Sequence, residues 1–401
     1  MGGRRYTHCK KTTRRQIEKV TTMNKETPAS ASGNKEVIHQ STYQGDCLDV
    51  LKTLPDDHFD SIVTDPPAGI GFMNQAWDSN KGEKANWIKW FNEVSIELLR
   101  VLKPGAFALV WALPRTAHWT TEALEEAGFQ IRDKIYHVFG SGFPKSLDVS
   151  KAIDQHLKAE RKVVGTNTKW RSSSGDSALP TTEEARHYEG FGTALKPAVE
   201  EWILGRKKPE GSIAQNVLKH GTGALNIDAS RIKDKPNNSN KVYDTAMGGG
   251  YWENTKGKYP AHLIHDGSEE VVVNIFPCTS TAEFFYCAKA SVEDKNEGLQ
   301  GLPQKTTTDG REKTIDNPYL RGNTNRFNHH PTVKSSEPMK YLCRLITPAK
   351  GLVLDPFMGS GSTGKAALLE DFTFVGIEKE DDYFQLAKAR LIHAQRQLSF
   401  F

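Results

Sequence analysis

A doubly wound α/β sheet, encoded in two blocks on either side of a long insert, is the fold this sequence predicts, on three observations. Strands and helices alternate from Tyr43 to about residue 140. The alternation resumes at Met339. There the apolar strand Val353-Leu354-Asp355 runs into a glycine turn, Phe357-Met358-Gly359-Ser360-Gly361, and then into a helix. Strands that alternate with helices pack as a parallel sheet covered on both faces.

The elements follow in order. Phe59-Asp60-Ser61-Ile62-Val63 and Thr64 read as a buried strand. From Trp87 to Leu102, apolar residues recur at Ile88, Phe91, Val94, Leu98 and Leu102, one face of a helix that Lys103-Pro104-Gly105 stops. Ala106 to Ala112 is a second buried strand, Thr121 to Gly128 a helix closed by its glycine, and Ile131 to Phe139 a third strand. Met339 to Ile346 reads as a helix and Phe372 to Ile377 as a strand ending at Glu378. Tyr383, Leu386, Ala387, Arg390 and Leu391 mark a closing amphipathic helix.

Two elements carry chemistry. The glycines let the backbone approach a ligand closely and leave helix N-terminal N–H groups free for a carboxylate or phosphate. Glu378, at the end of the following strand, is placed to accept ribose hydroxyls. Alone, the spacing of Gly359, Gly361 and Gly364 also fits a dinucleotide such as NAD. The second element is Thr64-Asp65-Pro66-Pro67, which NAD chemistry does not require. Ligands of open α/β sheets bind at the carboxyl ends of the strands, so Asp65 is expected in the same crevice as the glycine turn. Pro66 and Pro67 fix the backbone and hold the Asp65 carboxylate and the Pro66 carbonyl rigidly. Two fixed acceptors can take both hydrogens of an amino group and favour a tetrahedral nitrogen with an available lone pair. A proline turn that merely closes a strand is the bland alternative.

These residues resemble the DNA amino-methyltransferases, which methylate adenine N6 or cytosine N4 from S-adenosylmethionine. The order is that of their beta class. Asp65-Pro66-Pro67 looks like the catalytic motif, and Asp355-Pro356-Phe357-Met358-Gly359-Ser360-Gly361 like the cofactor loop. Asn328 to Lys334 is similar to the His-Pro-Thr-x-Lys segment that precedes that loop, and Gly45-Asp46-Cys47 to the segment packed on the cofactor adenine. The resemblance implies a Rossmann-like methyltransferase sheet with a large inserted target-recognition region. Its expected parts are a disordered basic tail over 1–39, a catalytic half over 40–140, the recognition insert over 141–325 and a cofactor-binding half over 326–401. It further implies Asp355, Phe357, Gly359 and Gly361 on the methionine moiety, Thr332 and Lys334 near its carboxylate, Glu378 on the ribose, and Asp46 with Cys47 on the adenine. No metal is required. The base would be extruded from double-stranded DNA, with adenine N6 the expected target and cytosine N4 the alternative.

One position departs from the family. Its catalytic tetrapeptide usually ends in an aromatic ring that stacks on the base, and here that position is Ala68. Phe72, Trp77 and Tyr136 are the candidate replacements; each also reads as an ordinary core aromatic. A catalytically impaired DNA-binding relative is therefore the second alternative.

Composition fits this reading. No apolar run reaches membrane-spanning length and none reads as a secretory segment, so the expected location is cytoplasmic, without a membrane partner. Five cysteines, Cys9, Cys47, Cys278, Cys287 and Cys343, show neither disulfide pairing nor metal-knuckle spacing. A net charge of +4 demands local patches for phosphate contacts. Arg4, Arg5, Lys10, Lys11, Arg14, Arg15 and Lys19 form one, unless Met23 is the true start. The insert has loop-like stretches at Arg171–Gly175 and Met247–Gly250 and nearly balanced charge. Gly205-Arg206-Lys207-Lys208 and Lys219-His220 are candidates for phosphates, and Asn226, Arg231 and Asn238 for base edges. Phe284–Lys289 is expected to mark the return to the sheet. A second copy of the chain is the other expected partner.

Overall fold

The structure, a computed structural model, describes residues 40–71, 76–79, 83–140, 142, 146–163, 178–231, 257, 259–266, 268, 271, 290–308 and 323–398. Its strands are β1 (Gln40–Gln44), β2 (Phe59–Thr64), β3 (Leu102–Ala112), β4 (Gln130–Val138), β5 (Lys162–Val163), β6 (Ala178–Leu179), β7 (Val199–Arg206), β8 (Leu263–His265), β9 (Lys305–Thr308), β10 (Asn323–Arg326), β11 (Leu352–Asp355) and β12 (Thr373–Glu378). Its helices are α1 (Cys47–Leu51), α2 (Lys84–Val101), α3 (Ala117–Glu126), α4 (Val149–His156), α5 (Glu183–His187), α6 (Ile213–His220), α7 (Val292–Asn296), α8 (Ser336–Ile346), α9 (Ser362–Leu369) and α10 (Asp381–Leu398).

Eight strands form one sheet in the order β1-β12-β11-β2-β3-β7-β4-β8. The first five run parallel, so the N-terminal and C-terminal blocks share the sheet as expected. β2 is buried along its whole length, which accounts for its unbroken apolar run. Its successive residues serve opposite faces. Ile62 packs in a core with Phe91, Leu98 and Val110, and Val63 in another with Met339, Leu342, Phe374 and Leu391.

Three expectations are corrected. The sheet is mixed, because β7 pairs antiparallel with β3 from Phe107↔Arg206 to Ala112↔Glu201. The segment expected as an insert therefore contributes β7 and β8 to the sheet. Lys103-Pro104-Gly105 lies inside β3 rather than ahead of it. Asn216 Nδ2 and Thr222 Oγ1 donate to the Pro104 carbonyl at 2.9 and 2.6 Å, and Gly105 takes φ +76, so the register shifts there without ending the strand. Helix boundaries shift too: α2 begins three residues before Trp87, and α3 begins four before Thr121. Arg171–Gly175, Met247–Gly250, Asn238, Phe284–Lys289 and the basic tail lie outside the described residues.

The chain divides into two compact units, 1–136 with 200–264 and 283–401, and 137–199 with 265–282. In the second, buried Asp154 accepts hydrogen bonds from Arg161 Nε at 2.6 Å and Thr182 Oγ1 at 2.7 Å, tying α4 to the start of α5. Among the described residues, no helix is long and apolar enough to cross a membrane.

Candidate active site at the strand ends

Because β1, β12, β11 and β2 are adjacent and parallel, their carboxyl ends open along one edge of the sheet. That edge gathers Gly45 and Asp46, Glu378, the turn after Asp355, and Asp65. Two bonds fasten these ends together. Thr64 Oγ1 donates to Asp355 Oδ1 at 2.7 Å, and Gly45 N donates to the Glu378 carbonyl at 2.9 Å. Residues 291 positions apart in sequence are thus joined in the buried sheet.

Asp65 sits beside a cation. Lys334 Nζ lies 3.4 Å from Asp65 Oδ2, 3.2 Å from Glu200 Oε2 and 4.1 Å from the centroid of the Trp111 ring. Burial, opposed by Lys334 and reinforced by Glu200, pushes the Asp65 pKa up to about 6. Burial works against the Lys334 ammonium, but Asp65 and Glu200 outweigh it and raise its pKa. The loop after Asp65 is pinned. Buried Asp78 accepts from Gly69 N at 2.8 Å, Thr116 Oγ1 donates to the Ala68 carbonyl at 3.4 Å, and a Cβ on Gly69 would collide with the Trp87 indole at 2.4 Å.

The glycine turn is organised by two carboxylates. Asp355 accepts from Phe357 N at 3.1 Å, and burial lifts its pKa to about 6 against the hydrogen bonds of Thr363 and Thr64. Glu378 accepts from Gly359 N at 2.7 Å through one oxygen and from Glu380 N at 2.8 Å through the other. Burial raises the Glu378 pKa as well. Gly361 takes φ +78 at the N-cap of α9, which has no side-chain cap. A Cβ on Gly361 would meet Ala387 of α10 at 3.1 Å, and one on Gly359 would meet His330 Nε2 at 2.9 Å. Gly361 thus brings helix against turn. A Cβ on Gly364 would approach Phe374 and Leu391 to 2.5 Å, a close packing of helix on strand.

The remaining expected residues are placed as follows. Asp46 caps α1, accepting from Leu48 N at 3.1 Å, while Cys47 is buried in the core and its thiol pushed up to about 12 by burial. Pro66 is buried and Pro67 half-buried. Phe357 packs edge-on against Trp90 at 6.0 Å. Thr332 is exposed and its N–H donates to His330 Nδ1 at 3.3 Å, so Lys334 alone of that pair reaches the strand ends. Trp77 stacks on His330 at 6.3 Å, Tyr136 packs on His262 at 6.1 Å on the third strand from β2, and Phe72 lies outside the described residues. Sequence reading missed Trp111 and Glu200, which look like ordinary strand positions, and gave no separate site role to His330, within the segment 328–334, or to Arg390, on the closing helix. Gly205 and Arg206 prove to lie in β7. Lys207 is bonded to Asp57 at 2.6 Å, Lys219 and His220 to Glu210 at 2.5 and 3.0 Å, and Arg231 to Asp228 at 2.9 Å. Asn226 N donates to the Leu345 carbonyl.

Against known proteins, a family described as DNA methylase, of the N6/N4 type, matches residues 59–389. The chain is 30% identical over 82 residues to the type II methyltransferase M.BamHI of Bacillus amyloliquefaciens, 20% of this chain and 19% of that one. It is 21% identical to the type II methyltransferase M.HindIII of Haemophilus influenzae over 87% of this chain and 94% of that one. The aligned stretches span 19, 41 and 22% of the first three curated relatives. A solved structure titled as an M1.HpyAVI–SAM complex matches with a TM-score of 0.40 and 20% identity, covering 88% of this chain and 98% of that chain.

Proposed function

The chain belongs to the N6/N4 DNA methylase family, and from that premise we propose that it moves a methyl group from S-adenosylmethionine to the exocyclic amine of a base extruded from double-stranded DNA. The observation that carries the reading is the Thr64–Asp355 hydrogen bond, which sets the Asp-Pro-Pro strand directly beside the glycine-turn strand. On this reading a carboxylate for an amine and a cradle for a cofactor would lie side by side at the strand ends.

The residues fit the cofactor. Glu378 accepts from Gly359 N through one oxygen and from Glu380 N through the other, and its remaining acceptor capacity would receive a ribose hydroxyl. The uncapped start of α9 leaves N–H groups for a carboxylate. Asp355, Phe357, Gly359 and Gly361 would flank the methionine portion, and Asp46 with Cys47 the adenine. When bound, the cofactor supplies an electrophilic methyl group. Asp65 and the Pro66 carbonyl accept the two amine hydrogens and orient the nitrogen lone pair. With a pKa lifted to about 6, Asp65 can also take the proton that nitrogen releases. Positioning does most of the work.

Adenine N6 is the proposed target atom. Aspartate at the head of the tetrapeptide is commoner among adenine enzymes of the family, and Ala68 in place of a ring would leave more room beside Pro67 for a purine. Expression in a host without DNA methylation, followed by hydrolysis of its DNA and nucleoside mass analysis, is expected to yield N6-methyladenine. N4-methylcytosine alone would transfer the reading to cytosine, and neither product would end it.

A further inference from the structure

We propose that Trp111 is the stacking surface for the target base, taking the part of the ring absent at Ala68, with Glu200 positioning Lys334 beside it. The inference rests on the extruded-base reading above and names the surface that reading lacks. Register puts the two residues together. Thr64 pairs with Val110, so Trp111 follows on β3 just as Asp65 follows on β2, and neighbouring strands lie about 4.8 Å apart. Alternation puts them on one face. Val63 and Leu109 share a core cluster, and Trp111, two residues beyond Leu109, packs at its rim only partly buried.

Chemistry then distinguishes Trp111 from the other aromatics. Lys334 Nζ lies 3.4 Å from the Asp65 carboxylate and 4.1 Å from the Trp111 centroid, so one ammonium spans carboxylate and ring face. An ammonium over an indole marks a face from which a flat, electron-poor group can also draw stabilisation. Trp77 is stacked on His330 and Tyr136 packed on His262. Glu200, 3.2 Å from Lys334, offers the ammonium a second anion, so a base can enter between Asp65 and Trp111 without stranding a buried charge.

The test compares Trp111→Phe, which keeps a π face, with Trp111→Leu, which keeps bulk alone. Full-length proteins are assayed for tritiated methyl transfer from S-adenosylmethionine to unmethylated plasmid and genomic DNA, and for cofactor affinity by calorimetry. Stacking of one base on one ring is worth about 1–3 kcal/mol, roughly five- to 150-fold. Trp111→Leu is expected to lower kcat/KM for DNA at least about tenfold and Trp111→Phe about two- to threefold, with cofactor affinity in both close to that of the unsubstituted chain. If Trp111→Leu weakens cofactor binding, Trp111→Met, unbranched and close in volume, takes its place in the same comparison. Equal losses in the aromatic and aliphatic variants, or none in either, would overturn the inference while leaving methyl transfer standing. Absence of transfer by the unsubstituted chain, with cofactor bound, would overturn the reading beneath it.

Discussion

Asp65 is held where its ionised form is disfavoured, yet its proposed role as acceptor needs that form. Burial lifts its pKa to about 6 from the usual 3.8, Lys334 pulls it down and Glu200 pushes it up. If the carboxylate is the active form, kcat/KM falls as pH drops through about 6. Lys334→Met removes the lowering influence, so its acid limb should move to higher pH; Glu200→Gln removes a raising one and should move the limb lower. An unmoved limb in both variants would assign the titration to another group, with Asp355, also near 6, the first to examine. Asp65→Ala is expected to reduce methyl transfer at least about a hundredfold. Its affinity for S-adenosylmethionine should stay nearly intact, since the groups proposed to hold the cofactor lie at the carboxyl ends of β1, β11 and β12 and just beyond them. Comparable turnover by this variant would sink the assignment.

The glycine turn owes its shape to elements on either side of it. Arg390 of α10 is fully buried, and its Nη1 donates to the Ser360 carbonyl at 2.7 Å, so helix and turn are one piece. Arg390→Met leaves that carbonyl without its charged partner and should lower folding stability by roughly 1.5–3 kcal/mol in urea unfolding while weakening cofactor binding. An unchanged midpoint would show the bond to be idle. Gly361→Ala adds a side chain at φ +78 against Ala387 and should cost about 1–2 kcal/mol from backbone strain alone. Gly361→Val should lose more stability, by crowding α10 rather than by filling the cofactor crevice. The strands and helices flanking this turn were legible in the sequence because periodicity and glycine spacing are local signals. So was Asp65 beside the turn, because strand ends collect ligands in open sheets. Glu200 and Trp111 were not legible. Glu200 comes near Asp65 because β7 enters the sheet antiparallel beside β3, a long-range pairing that no local pattern announces, and Trp111 comes there through the register of β2 on β3, Thr64 against Val110, which strand composition alone does not supply. Pro104 misled for a related reason: the stop signal is genuine, but Asn216 and Thr222 satisfy its carbonyl from over a hundred residues away.

For the whole molecule the open quantity is charge. Residues 1–22 carry seven basic side chains and one acidic one, so a chain without them has a formal charge of −2 in place of +4. A reversal of that size would cripple a protein that gripped DNA by its overall field. The groups proposed for chemistry begin at Asp46, and the sheet that carries them begins at Gln40, on the edge strand β1. Contacts that extrude a base must act near Asp65 and Trp111, at the ends of β2 and β3 within the sheet. Removal of residues 1–22 is therefore expected to leave kcat, cofactor affinity and thermal stability unchanged, and to change KM for DNA less than about threefold at physiological salt. Each phosphate contact contributes about 0.9 to the slope of log affinity against log salt, so tail contacts would be visible as a shallower slope in the shortened chain. A slope reduced by several units would show that the tail, and not the sheet edge, supplies the grip on DNA.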